Sequence, residues 1–150
     1  MQLFITIEAQ NATDNGLFEI FRDINQQLSF VTDNDSDLEI INNYGNEFRI
    51  ISVIPSCVDD DFWKASGWKE RKQIWRKKKE ADIRLRMDYN RFMEETLENR
   101  RLMFIDIIVK SIQVIQEKST GDFQGLKLIE DILEALNITK SQLSTLEQAK

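Results

Sequence analysis

Between residues 79 and 117 the hydrophobic period changes once, and that change constrains the fold more than any other feature of the chain. Ala81, Ile83, Leu85 and Met87 alternate with Asp82, Arg84, Arg86 and Asp88, the period-2 pattern of a strand with one buried and one wet face. From Thr96 to Glu117 the period becomes helical. Leu97, Phe104, Ile105, Ile108, Ile112 and Ile115 mark the stripe, and Leu102, Met103, Ile107, Val109 and Val114 widen it. A helix this apolar has to be covered on most sides, so the strand is expected at the centre of a sheet and the helix in the same core.

The remaining segments fit around that pair. Residues 2–8 read as a first strand, and Leu17, Phe18, Ile20, Phe21, Ile24 and Leu28 as an amphipathic helix of about 14 residues with Asp14 or Asn15 as N-cap. Thr32 to Asp37 reads as an acidic loop. Leu38 to Asn42 and Glu47 to Ile54 are strand candidates joined in a hairpin by Asn43-Tyr44-Gly45-Asn46, and Pro55, which cannot donate to a ladder, is expected to end the second. Ser56 to Asp61 reads as a loop. A strand from about Arg71 to Lys77 would pair with 81–88 as a second hairpin, although the spacing of Trp68 and Trp75 also fits a short helix. After a break at Ser119-Thr120-Gly121, Leu126, Ile129, Ile132, Leu133 and Leu136 outline another helix that Asn137 ends. Thr139 and Gln142 then form a capping box, with Ile138 and Leu143 as its hydrophobic staple. Consecutive hairpins predict an α+β domain: a largely antiparallel sheet of four or five strands with helices packed on it and a helical C-terminal third.

At 150 residues and 41% hydrophobic content, one domain spanning 1–150 is the expectation. The first basic residue is Arg22 and Glu8 interrupts the opening apolar run, so no secretory signal is expected, and no stretch approaches a membrane span. A lone Cys57 allows no internal disulfide and fits a reducing cytoplasm, where it reads as a small buried thiol. The chain has no histidine, which removes Ser-His and Cys-His nucleophile pairs and His-containing metal sites. No catalytic residue and no cofactor is predicted.

Charge lies in blocks. Residues 1–61 carry 12 acidic and 2 basic side chains, whereas residues 62–86 carry 10 basic and 3 acidic. Asp33, Asp35, Asp37 and Glu39 alternate and Asp59, Asp60 and Asp61 are consecutive, but the first set lacks the glycine and bidentate glutamate of a calcium loop and the second has no partner legible in the sequence, so no metal is expected there. They read as solvated acids or as a surface for a basic protein. In 62–86, Trp63, Trp68 and Trp75 interleave with lysines and arginines. Nucleic-acid readers combine such residues, which gives the alternative of a nucleic-acid-binding regulatory protein. The acidity of the whole chain, with a pI of about 4.8, opposes it. A protein interface with the tryptophans as anchors is preferred, and nucleic acid is not the expected partner.

The run from Lys78 to Phe92, the later Ile107-Ile108-Val109-Lys110-Ser111-Ile112 and Gly121-Asp122-Phe123, with the Met1 to Ile7 strand and the Pro55 region, resembles small bacterial immunity proteins. These are encoded beside polymorphic toxins, including those of contact-dependent growth inhibition. The resemblance covers most of the chain and implies a cytoplasmic, non-enzymatic toxin inhibitor that binds one cognate toxin domain, commonly a basic nuclease, and masks its active site or substrate surface. Charge alone nominates Asp33, Asp35, Asp37, Glu39, Asp59, Asp60 and Asp61 as toxin-binding residues.

Overall fold

A computed structural model of the chain describes residues 1–28 and 44–148. Strand β1 (Gln2–Ile5) and the short β2 (Glu8–Ala9) lead into α1 (Leu17–Gln27). Next come β3 (Ile50–Cys57), α2 (Asp60–Ser66), β4 (Arg71–Trp75) and β5 (Glu80–Arg86), then α3 (Tyr89–Glu94), α4 (Leu97–Lys118), α5 (Gly125–Ala135) and α6 (Lys140–Gln148). The domain is α+β, and its strands are ordered β1-β3-β5-β4, with β2 beside the far end of β3.

The sheet is mixed, not largely antiparallel. β1, β2 and β5 all run parallel to β3, and only β4, among the described strands, pairs antiparallel, as the second arm of the 71–86 hairpin. Because β3 has β1 and β2 on one side and β5 on the other, it is not the return arm of a hairpin with 38–42; that strand candidate lies outside the described residues. Nor does Pro55 end β3. The hydrogen bonds from Thr6 N–H to Val53 O and from Gln10 N–H to Cys57 O turn the odd-numbered residues of β3 towards β1 and β2. The N–H that Pro55 lacks therefore falls opposite the gap between those two strands, where no ladder bond is lost.

Helix α4 joins the layers. Thr96 caps it by accepting the Asn99 N–H at 3.2 Å, and 22 residues give it a length of about 33 Å. It packs on β3, β4 and β5 and is itself covered by α1, α3, α5 and α6, which explains why Leu102, Met103, Phe104 and Ile105 are buried in succession. Phe104, Ile108 and Ile112, each fully buried, contribute about 1.5–3 kcal/mol apiece. Arg100 pins the neighbouring ends, donating to Phe92 O, Met93 O and Asn15 O at 2.8–2.9 Å. Gly16 occupies the N-cap of α1 with φ 81°, and Asn15 accepts the Leu17 N–H at 3.0 Å. The 139/142 capping box forms, with Thr139 N–H to Gln142 Oε1 at 2.8 Å and Gln142 N–H to Thr139 Oγ1 at 3.2 Å.

The turn before β3 locks onto the end of α4. Glu47 accepts from Ser119 Oγ at 2.6 Å, from Thr120 N–H at 3.0 Å and from Gly121 N–H, and Phe48 meets Phe123 edge-on at 5.1 Å. The buried Tyr44 hydroxyl donates to Asp131 Oδ2 at 2.7 Å; burial first, and then that carboxylate, push its pKa upward. Gly45 holds φ 92°, and a Cβ there would stand 2.3 Å from Asp122 O.

Two expectations follow from this packing. Gly45→Ala places a side chain in the left-handed region and against backbone, and lowers unfolding free energy by about 2–4 kcal/mol, as urea titration will measure. Cys57 is buried and burial pushes its thiol up to about 12, so it remains protonated at pH 8. A thiol reagent should label it only after denaturant unfolds the chain; fast labelling of the native protein would contradict this burial.

Candidate functional site

Ile51, Val53, Ala81, Ile83 and Leu85 face α4 and the core. Their neighbours Ser52, Ile54 and Ser56 point the other way and stand in register with Asp82, Arg84 and Arg86. Phe4 flanks them on β1, opposite Ser52, and Gln73 and Trp75 flank them on β4, opposite Asp82 and Glu80. Among the described residues this second face is left largely open: Phe4 is 42% and Trp75 39% exposed. A mostly parallel sheet ordinarily has both faces covered, so apolar side chains left on an open face are an unusual and informative arrangement.

The arginines here are committed to carboxylates. Arg84 reaches over β3 to Glu8, Nε to Oε1 at 2.8 Å and Nη2 to Oε2 at 3.0 Å, and Ser56 Oγ donates to the same Oε1 at 2.6 Å. Arg71 Nη1 donates to Asp82 Oδ2 at 2.6 Å. Arg71 and Arg84 are cross-strand partners, and their repulsion is relieved because each has an acid beside it.

At the C-terminal ends of β3 and β5 the face is closed by α2. Asp59 caps this helix, accepting the Phe62 N–H at 2.8 Å and Gln10 Nε2 at 3.0 Å. These bonds, the one from Phe62 first, hold the Asp59 carboxyl below the usual carboxylate range. Because the folded-state pKa is lowered, the stabilisation is present above the ordinary carboxylate pKa and is lost as pH falls through the lowered value. Asp60 accepts Arg86 Nη2 at 2.5 Å, while Asp61 is exposed. The Arg86 guanidinium lies 5.3 Å from the Trp63 ring and that of Arg84 5.9 Å from Trp68. The two indoles meet edge to face at 6.3 Å, with Phe62 tilted at 5.7 Å from Trp68. Beyond this cluster, Asp59, Asp60, Glu70 and Asp88 line a cleft of about 350 Å³ whose one cationic wall is Arg86.

The structure thus brings Asp59, Asp60 and Asp61 together with Trp63 and Trp68, and sets Trp75 at the opposite end of the open face. Asp33, Asp35, Asp37 and Glu39 lie outside the described residues. The expected loop from Ser56 to Asp61 is instead the end of β3 and the start of α2, because Asp59 is a capping residue and Ser56 continues the ladder. In the sequence, Glu70 and Phe4 have no site role, and Asp88 falls only on the wet face of a strand, where the structure makes it the N-cap of α3. Phe4 had a signal, since an aromatic at the outward position of the first strand breaks the alternation around Leu3 and Ile5. Glu70 had none, because only the return of the chain along β5 brings it beside Arg86. Among the described residues no group of three or more metal-ligating side chains converges, and no helix is long and apolar enough to cross a membrane.

Comparison with curated proteins and with solved structures finds no match in either. Among protein families, immunity protein 44 matches residues 1–138, a span that holds every described strand and both ends of the open face. The chain belongs to the immunity protein 44 family, the toxin-neutralising immunity proteins of polymorphic toxin systems, and its partner is a cognate toxin.

Proposed function

We propose that the chain neutralises its toxin, a basic nuclease domain, by stoichiometric, non-enzymatic binding that masks the nuclease's active site or its substrate surface. The observation that carries this reading is the acid-lined cleft beyond β3 and β5, where Asp59, Asp60, Glu70 and Asp88 outnumber the single Arg86; Asp61, next in α2, is exposed. A surface that binds a phosphate backbone is rich in Lys and Arg, and a row of carboxylates presents it with the charge pattern of its substrate. Asp59 and Asp60 are already engaged with Gln10 and Arg86, so the rim is held in place before the toxin arrives. The toxin is delivered by contact-dependent growth inhibition or a related route, and masking takes place in the cytoplasm, where a nuclease meets its substrate.

The nucleic-acid alternative loses ground for a related reason. Arg71, Arg84 and Arg86 of the basic block face Asp82, Glu8 and Asp60 at salt-bridge distance, so three of its cations are not available to phosphates.

Titration of the purified toxin domain tests the masking mode. Nuclease activity should fall linearly to zero at one molar equivalent of inhibitor. Complete loss at a small fraction of an equivalent would mean turnover, and a toxin domain without nuclease activity would overturn the substrate class. A paired change on the rim, Asp61→Lys with Glu70→Lys, leaves the Asp59 cap intact. It should slow association about tenfold or more at low salt, with the difference shrinking towards 0.5 M salt. An association rate equal to that of the unchanged protein would remove the rim from the encounter surface.

A further inference from the structure

At the end of the open face away from α2 lies a second concavity, of about 360 Å³. Phe4, Ile50, Ile54 and Trp75 give it apolar walls, and Glu80 and Asp82 are the charged residues in its lining, which contains no lysine or arginine. Arg49 holds Glu80 and Arg71 holds Asp82 from outside this lining. Asp82 is only 9% exposed, and while its Oδ2 accepts from Arg71, its Oδ1 is buried without a hydrogen-bond partner. A buried acceptor of this kind is costly to leave unmade. A carboxylate has room for several donors, and Asp82 belongs to the lining of the concavity.

We propose that this concavity anchors the toxin and receives one basic side chain from it. The aliphatic stem of that arginine or lysine lies against Phe4, Ile54 and Trp75, and its charged end donates to Asp82 Oδ1. The inference rests on the reading of the partner as a basic toxin domain and adds the place where it is held. Three features select a cationic occupant over an apolar one. The lining carries two acids and no base, the unpartnered atom is an acceptor, and the indole of Trp75 adds attraction for a cation beside its ring. The rim around α2 and this concavity lie at opposite ends of one face, so the first serves long-range attraction and the second the desolvated contact that governs dissociation.

Affinity for the purified cognate toxin domain, measured by calorimetry on the full chain at several salt concentrations, tests the assignment. Trp75→Ala and Phe4→Ala remove exposed rings and should each weaken binding about tenfold or more, with thermal midpoints close to that of the unchanged protein. Asp82→Asn keeps the side-chain shape; it should weaken binding about thirtyfold and flatten the salt dependence of affinity. Loss of affinity with an unaltered salt slope would mean a neutral donor and overturn the basic occupant. If the unchanged protein binds and all three variants bind equally well, the anchoring site lies elsewhere while the immunity reading stands. If the unchanged protein fails to bind the toxin domain, both fall together.

Discussion

The placement of every other element depends on the burial of α4 against the inner residues of β3 and β5. Ile51, Val53, Ala81 and Ile83 are at most 1% exposed, and so are Phe104, Ile108 and Ile112 of the helix they meet. With α4 fixed, Arg100 seats the end of α3 and the start of α1, and Glu47 ties the chain before β3 to the turn after α4. Leu128, Ile129 and Ile132 then give α5 a buried face. A large-to-small change at Phe104 or Ile108 in such a position costs several kcal/mol, a large fraction of the stability of a small domain.

Putting α4 and the helices that cover it on one side of the sheet, with α2 at one end of the other, has a consequence for that second face. β3 carries isoleucines in both directions, with Ile50 and Ile54 opposite Ile51 and Val53, as expected of a strand in a parallel sheet, whereas β5 turns Asp82, Arg84 and Arg86 outward. The outward set is not wasted on solvent. It forms the floor of a face whose charges are neutralised in pairs and whose rings remain accessible, the composition associated with a protein interface. Blocks of charge that look like an acidic half and a basic ridge in linear order are interleaved by folding: Glu8 and Asp60 from the acidic block meet Arg84 and Arg86 from the basic one. In the cleft at the α2 end, Asp59, Glu70 and Asp88 are in no salt bridge among the described residues.

Local patterns in the chain specified local elements well. The alternation in 81–88, the stripe in 96–117, the Thr139 capping box and the break at Asn137, which holds φ 56°, all correspond to structure. Patterns that depend on long-range pairing were not legible. Gly45 does carry a positive φ, but it serves a close approach to Asp122 and not a hairpin. Pro55 sits inside a strand because of a gap in β1 and β2 that no residue near it announces. Two adjacent apolar pairs, Ile50-Ile51 and Val53-Ile54, were the available sign of a strand with apolar side chains on both faces. The described acids nominated by charge alone were sorted only by three-dimensional context: Asp59 caps a helix, Asp60 holds an arginine, and Asp61 is exposed. Phe4 and Trp75 share a face through pairings with Ser52 and Glu80, 48 and 5 residues away, respectively.

Hydroxyl-radical footprinting of the chain with and without its toxin domain is the most direct measurement of where the toxin sits. Phe4, Trp68 and Trp75 report on the open face, while Leu97 and Leu126, 63% and 65% exposed, report on the helical side. Binding across the open face predicts that the three aromatic side chains lose reactivity in the complex while the two leucines keep theirs. Protection of Leu97 or Leu126, with Phe4 and Trp75 as reactive as in the free protein, would place the toxin on the helices and contradict it.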